Sequence, residues 1–155
     1  MPVTLTAIES NELAEFLAFI RPQYVAERMQ ADYLSRAEAE QFVTTQWART
    51  LPQGASTAGH HLFWAREDSS VARIGLLWMF IDAQYAQAFV YEIIVFEAFR
   101  GRGFGRELLA RAEEFARAHR SCAISLNVFS PNRGAIALYT SAGFDPVSQH
   151  MSKRL

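Results

Sequence analysis

A chain of 155 residues with 50% hydrophobic content is long enough to bury one core of its own. Its formal net charge of −1 excludes the basic surface that general nucleic-acid binding needs, so no nucleic acid is expected as a partner. Its single cysteine excludes an intrachain disulfide and a cysteine-built zinc cluster, and no apolar run reaches the roughly 18 residues of a membrane span.

In chain order, residues 3–6 alternate like a short strand, and Ser10 is placed to cap a helix carrying Leu13, Phe16, Leu17 and Ile20. Pro22 is expected to interrupt it, with a second helix over 24–29. Ser35 and Glu38 spell a capping box for a helix through Phe42, Val43 and Trp47, which should end near Leu51 because Pro52 and Gly54 follow. Residues 53–59 read as a loop and 61–65 as a strand, with a hairpin turn over 67–70. The next strand, 72–81, contains Gly75, a mark of a bulge. After a turn at 82–86, residues 89–96 are apolar, β-branched and aromatic, the pattern of a buried strand. Residues 107–119 place Leu108, Leu109, Ala112, Phe115 and Ala116 at helical spacing. Cys122 opens another strand, where it is expected to pack inertly. That strand should end near Phe129, before a short helix through Ala142. Gly143 then caps the helix and Phe144 begins a last strand that includes His150. No repeat, low-complexity tract or linker divides the chain, so one domain is expected over 1–155. No signal-peptide pattern opens it, and a cytoplasmic location without membrane partners is expected.

The most informative segment joins strand 89–96 to helix 107–119: Arg100, Gly101, Arg102, Gly103, Phe104 and Gly105. Glycines let backbone N–H groups approach a ligand, and the helix N-terminus adds partial positive charge. Arg100, Arg102 and Arg106 add formal charge, so an anion cradle is expected. It is not a P-loop, because no Gly-Lys-Ser/Thr triplet exists. It is not a dinucleotide fingerprint either, because Arg106 stands where the third glycine belongs. Arg100, Gly103 and Gly105 instead spell Arg-x-x-Gly-x-Gly, which resembles the pyrophosphate loop of the GNAT superfamily, the acyl-CoA-dependent N-acyltransferases. Asn132, Ala135, Leu138, Tyr139, Gly143 and Phe144 stand in register with that superfamily's Asn-x-x-Ala-x-x-Leu-Tyr-x-x-x-Gly-Phe segment. The chain as a whole looks like a small stand-alone bacterial acetyltransferase.

This resemblance implies an α/β (α+β) fold: a central mixed, mostly antiparallel twisted sheet flanked by helices, with a splayed central strand that binds acyl-CoA. It implies acetyl-CoA as co-substrate. Ile93, Ile94 and Val95 match the strand that holds the pantetheine arm, and the backbone from Gly101 to Gly105 matches the pyrophosphate cradle. Asn132 matches a side chain along the CoA arm, although as a residue after Pro131 it can equally be a helix cap. Tyr139 matches the tyrosine beside the thioester sulfur, where its phenol can protonate the leaving thiolate; packing against Phe144 is the alternative. Glu92 is the acid inside the central apolar strand, where burial would raise its pKa towards base duty, or where it could pair with an arginine. In some protein-terminus acetyltransferases of the superfamily a glutamate stands at the position matched by Asn127, and Asn127 cannot take a proton. The implied activity is acetyl transfer to a primary amine of a small molecule or peptide, by direct attack in a ternary complex. The alternative is a non-catalytic acyl-CoA-binding module. The amine acceptor would be shaped by 22–59, with Tyr24, Tyr33, Phe42, Trp47, Glu27, Asp32, Glu38 and Glu40. A monomer or a homodimer is compatible with the pattern. No metal is expected, because His60 and His61 point to opposite faces and His119 and His150 have no ligand-like neighbours in sequence.

Overall fold

In the computed structural model, which describes residues 2–155, five strands form one sheet in the order β1-β2-β3-β4-β5. These are β1 (Val3–Ala7), β2 (His60–Glu67), β3 (Arg73–Asp82), β4 (Gln87–Val95) and β5 (Ala123–Leu126). Neighbours β1 to β4 pair antiparallel, and β5 joins β4 in parallel. The helices are α1 (Leu13–Ala31), α2 (Arg36–Thr50), α3 (Phe104–Ala118) and α4 (Arg133–Ser141). This is the mixed, mostly antiparallel α/β arrangement the motifs imply.

Each face of the sheet carries its own core. Phe63, Ala65, Leu77, Met79, Ala88 and Val90 pack with Leu108 and Ala112 of α3. Leu62, Trp64, Leu76 and Trp78 pack with Phe16 and Ile20 of α1. Strand alternation explains this division, since consecutive side chains point to opposite faces. Two bulges invert it. Ile74 lies in the α3 core and Leu76 in the α1 core, although two residues apart they should share a face. The register slips there, opposite Ala65 and Arg66, as Gly75 led us to expect. A Cβ on Gly75 would lie 2.0 Å from the carbonyl oxygen of Ile94, so only glycine fits. The second bulge is in β4: Trp78 faces Glu92 while Met79 faces Val90, leaving Tyr91 unmatched.

The capping box of α2 forms as expected, with Ser35 Oγ accepting from the Glu38 amide and the Glu38 carboxylate accepting from the Ser35 amide. Pro22 does not interrupt α1, which runs unbroken from Leu13 to Ala31. Pro22 and Ala18, whose carbonyl loses its i→i−4 bond, are both exposed and can be hydrated. Phe16 and Ile20 before the proline, and Val25 after it, are fully buried and hold the two halves in line. Ser10 lies in a short 3-10 turn, Ser10–Glu12, capped from Glu9, rather than capping the helix itself. Helix α3 begins at Phe104, three residues before the periodicity predicts.

The last third departs further from expectation. Strand β5 ends at Leu126 rather than near Phe129, because β4 supplies partners only up to Val90. Cys122 precedes the strand and is exposed, not buried; its sulfur accepts from Gln87 Nε2 at 3.4 Å. Gly143 does cap α4: with φ 95° it completes a Schellman arrangement in which Gly143 N–H donates to Thr140 and Phe144 N–H to Tyr139. Phe144 starts no strand, however, and residues 144–155, His150 included, carry no regular structure.

Candidate active site

Strand β4 is what builds the site. Its residues 87–90 pair on one side with β5, but from Glu92 to Val95 it pairs with β3 alone. Past Leu126 the two parallel strands therefore separate, and the edge of β4 over 91–95 borders an open cleft. Ile93 and Val95 are anchored in the α3 core and Ile94 in the α1 core, so the strand is gripped on both faces while its edge stays accessible. That leaves backbone N–H and C=O groups beside the cleft with no strand beyond them, the arrangement an extended ligand needs.

The bulge at Tyr91 decides where Glu92 goes. Without it, Glu92 would follow Ala88 and Val90 into the α3 core. With it, Glu92 shares the face of Ile94 and lies towards α1. There burial pushes its carboxyl up to about 8, the charge of Glu27 adds to the shift, and the Ile93 N–H acts against it. Tyr139 of α4 lies across the same cleft. Its phenol is pushed up to about 12, first by burial and then by the Glu92 charge. Its ring is fixed by Phe144, 5.9 Å away, across the Schellman cap. Tyr24 of α1 belongs to the same constellation. Burial chiefly raises its phenol, opposed by the Arg28 charge and by its bond to Gln46 at 2.8 Å, with Glu92 and Glu27 adding smaller increases.

At the other end of β4 the glycine loop takes the predicted course. Gly101 and Gly103 have φ of 72° and 85°, and a Cβ on either would meet nothing within 4 Å. Gly103 is the N-cap of α3 and supplies no capping side chain, so the first-turn amides keep their donors for an external acceptor. This geometry fits a pyrophosphate: backbone donors, an open concavity and a helix dipole of the right sign. The arginines divide their duties. Arg100 Nε donates to the Val95 carbonyl at 3.0 Å and ties the loop to the strand end. Arg106 reaches Ser141 of α4 at 3.2 Å. Arg102 lies over the rings of Phe99 and Phe104, at 5.8 and 5.2 Å, with its donors uncommitted to any acceptor.

Of the residues expected from sequence, Glu92, Ile93, Ile94, Val95, Arg100, Gly101, Phe104, Gly105, Asn132 and Tyr139 all line this one cleft. Arg102 and Gly103 stand outside its lining, on the outer turn of the loop. Asn132 is the N-cap of α4, its Oδ1 accepting from Ala135 N–H at 3.1 Å, which leaves its amide donors for a ligand. Sequence reasoning did not reach the bulge at Tyr91, because a strand apolar at nearly every position hides its own alternation. Nor did it place Phe99 under Arg102, although aromatic residues spaced around an arginine were a visible signal. His60 and His61 do face opposite ways: His60 accepts from Trp78 Nε1 at 3.0 Å, and His61 packs on Phe115 and His119. Among the described residues, no group of three His, Cys, Asp or Glu is placed to hold a metal ion, and no helix is long and apolar enough to cross a membrane.

Comparison with known proteins agrees with this geometry. The model of the acetyltransferase (GNAT) family matches residues 14–144. The chain is 29% identical to the Bacillus subtilis N-acetyltransferase YycN, with 100% of both proteins covered, and 27% identical to YdgE of the same organism, covering 100% of this chain and 99% of that one. The crystal structure of YycN superposes with a TM-score of 0.92 at 28% identity, over 99% of this chain and 98% of the other. Spermidine N-acetyltransferase from Vibrio cholerae, solved with CoA and spermine, shares the fold at a TM-score of 0.68 and 21% identity, over 94% of this chain and 82% of that one. The chain therefore belongs to the acetyltransferase (GNAT) family, and it is an acyltransferase.

Proposed function

We propose that this protein transfers an acetyl group from acetyl-CoA to a primary amine of a small molecule or peptide, by direct attack within a ternary complex. The observation that carries the reading is the bulge at Tyr91, which turns Glu92 into the cleft where β4 and β5 part, across from Tyr139. Gly101, Gly103 and the first-turn amides of α3 would hold the pyrophosphate, and the edge of β4 over Ile93–Val95 would hold the pantetheine arm. Acetyl-CoA supplies a thioester whose carbonyl carbon accepts the amine and whose sulfur departs.

Glu92 serves as the base. Ammonium cannot attack, and a carboxyl near pKa 8 is well matched to remove its proton at neutral to mildly alkaline pH. Tyr139 serves as the acid. With its phenol near 12 it stays protonated and can donate to the departing sulfur. Over one turnover the ammonium loses two protons. One leaves to solvent by way of Glu92, and the other replaces the proton that Tyr139 gives to the sulfur. The acceptor would enter from the α1–α2 side, where Tyr24, Glu27, Phe42 and Gln46 line the cleft. A carboxylate beside aromatic faces suits an ammonium group through charge and cation–π attraction.

Calorimetric titration with acetyl-CoA and CoA, beside NAD and ATP, tests the cofactor half. Selective binding of the CoA compounds is expected, followed by thiol release when an amine library is screened. Equal or absent binding of all four would reduce residues 100–105 to an ordinary turn.

A further inference from the structure

The bulge in β4 does more than turn Glu92. Tyr91 and Glu92 stand together opposite Trp78, so both side chains lie on the α1 face of the sheet, next to one another. The rings around Tyr91 on that face form a platform. Tyr91 stacks on Trp78 with centroids 4.7 Å and planes 15° apart, and it meets Phe89 edge-to-face at 4.9 Å and His60 at 5.3 Å. Trp78 is 1% exposed and is pinned in turn, its Nε1–H donating to His60 Nδ1 at 3.0 Å. Burial holds His60 below the usual imidazole range, so Nδ1 keeps the lone pair that this bond needs. Tyr91 itself is 39% exposed and lines the cleft. One face of its ring is therefore fixed, and the other is open beside the carboxyl of Glu92.

The place of this ring relative to the glycine loop gives it a role. The loop follows the C-terminal end of β4, so acyl-CoA held along Ile93–Val95 would approach Glu92 from that end. Phe89 and Tyr91 lie on the other side of Glu92, away from the loop. Strand residues advance by about 3.3 Å each, so the Tyr91 ring stands within one short aliphatic spacer of the carboxyl. The α1 wall of the cleft offers little to a second cation. Arg28 lies 5.7 Å over the Tyr24 ring and pairs with Asp32 at 3.0 Å, so that wall carries a positive charge as well as the Glu27 carboxylate. One ammonium with an uncharged ring behind it suits this balance better than a chain of ammonium groups.

We propose that Tyr91 selects the acceptor: it stacks an aromatic ring carried a short spacer away from the primary amine, so the preferred acceptors are arylalkylamines. This rests on the reading of the cleft at Glu92 as the acceptor site. A ring already held by Trp78, Phe89 and His60 loses little freedom when a ligand stacks on it, and the ring–ring contact adds to the gain from the area buried. The bulged pair Tyr91–Glu92 then positions the acceptor's ring and its nitrogen together.

Calorimetric titration of the enzyme–CoA complex with phenethylamine and with cyclohexylethylamine tests this apart from the chemistry. The saturated ring is the more apolar of the two, so burial alone would favour it. The wild type should instead bind phenethylamine roughly 3- to 10-fold more tightly, and the same ratio should appear in KM when thiol release from acetyl-CoA is followed. Tyr91→Phe should keep the ratio, and Tyr91→Leu should bring it down to about one. A wild-type ratio of one or below overturns the proposal, and so does a ratio that survives Tyr91→Leu. Tighter binding of diaminobutane than of phenethylamine overturns it too. Selective binding of phenethylamine without thiol release supports the platform and refutes the role of Glu92 as base. Thiol release that is equal for the two ring amines refutes the platform and leaves acetyl transfer standing. The wild-type ratio decides the matter even if Tyr91→Leu fails to fold.

Discussion

Replacing Glu92 by glutamine tests the role proposed for it as base separately from what its burial costs the fold. In the folded protein its pKa is raised from an ordinary 4.5 to about 8, so the native state binds a proton that the unfolded chain releases. The sign follows. The stability this proton provides is complete below pH 4.5 and is lost as pH rises towards 8, the loss reaching about 3 kcal/mol at pH 7. Glutamine keeps the shape and removes the titration. Between pH 5 and pH 7 the variant should therefore gain about 2 kcal/mol on the wild type, a relative rise in Tm of roughly 5 °C. Activity should move the opposite way. Wild-type kcat/KM should climb about 50-fold from pH 6 to pH 8, as the ionised fraction grows from about one in a hundred to about one half. The variant should lose 10²- to 10⁴-fold, the ordinary contribution of a general base, and its pH profile should be flat (an order-of-magnitude range). Urea unfolding at the two pH values and thiol release across the series supply the readouts. Parallel stability curves for the two proteins would refute the buried-carboxyl argument, and an activity loss under about tenfold would remove Glu92 as the base.

Three further outcomes follow from the same geometry. Tyr139→Phe should lower kcat by about 10²-fold or more while CoA binds as before, because only the proton donor is removed; weaker CoA binding would make Tyr139 a binding residue instead. Gly103→Glu should weaken CoA binding by about 3 kcal/mol, roughly 100-fold, through charge repulsion in the cradle and side-chain strain at φ 85°. Unchanged affinity in titration would mean that the pyrophosphate lies elsewhere. Gly75→Ala should destabilise the fold by about 3 kcal/mol or more, since the new methyl would lie 2.0 Å from the Ile94 carbonyl oxygen and the β3–β4 ladder must open. Denaturant midpoints within experimental error of the wild type would show that the strands part at no cost.

What the sequence made legible, and what it hid, follow a physical division. Local signals were reliable where they act through the backbone of the residues that carry them. Ser35 and Glu38 cap α2 as their spacing requires, Gly143 caps α4, and Gly101 and Gly103 take the positive φ that glycine permits. Signals whose outcome depends on distant packing were not. Pro22 is tolerated because Phe16 and Ile20 hold α1 to the sheet while Val25 holds it to Ala39 and Val43 of α2. Cys122 reads as part of an apolar strand, yet it precedes the edge strand β5, which among the described residues pairs with β4 alone, and it is exposed. Phe144 opens no strand because, among the described residues, nothing after it joins a ladder, and Ser152 and Arg154 lie against Tyr33 instead. Glu92 was visible as an acid in an apolar run, but its facing was not. A single unmatched residue, Tyr91, decides between the α3 core and the cleft.

The two bulges are the same device used twice on adjoining strands. Gly75 pairs with Val95, and its missing side chain is the space into which the Ile94 carbonyl settles. Tyr91 then shifts the alternation of β4 by one residue, so that Ile93 and Val95 lock into one core, Ile94 into the other, and Glu92 into the cleft. The course of β4 over 91–95 is therefore set from the β3 side and by the two cores, with no contribution from β5. A strand held in this way keeps its ligand-facing edge in place before any ligand arrives, which limits the ordering cost of binding. It also explains why an acid can remain in so apolar a strand. The ladder and the buried neighbours fix Glu92 where its carboxyl is poorly solvated, and the stability lost there is what holds its pKa near 8, the range that its proposed role as base calls for.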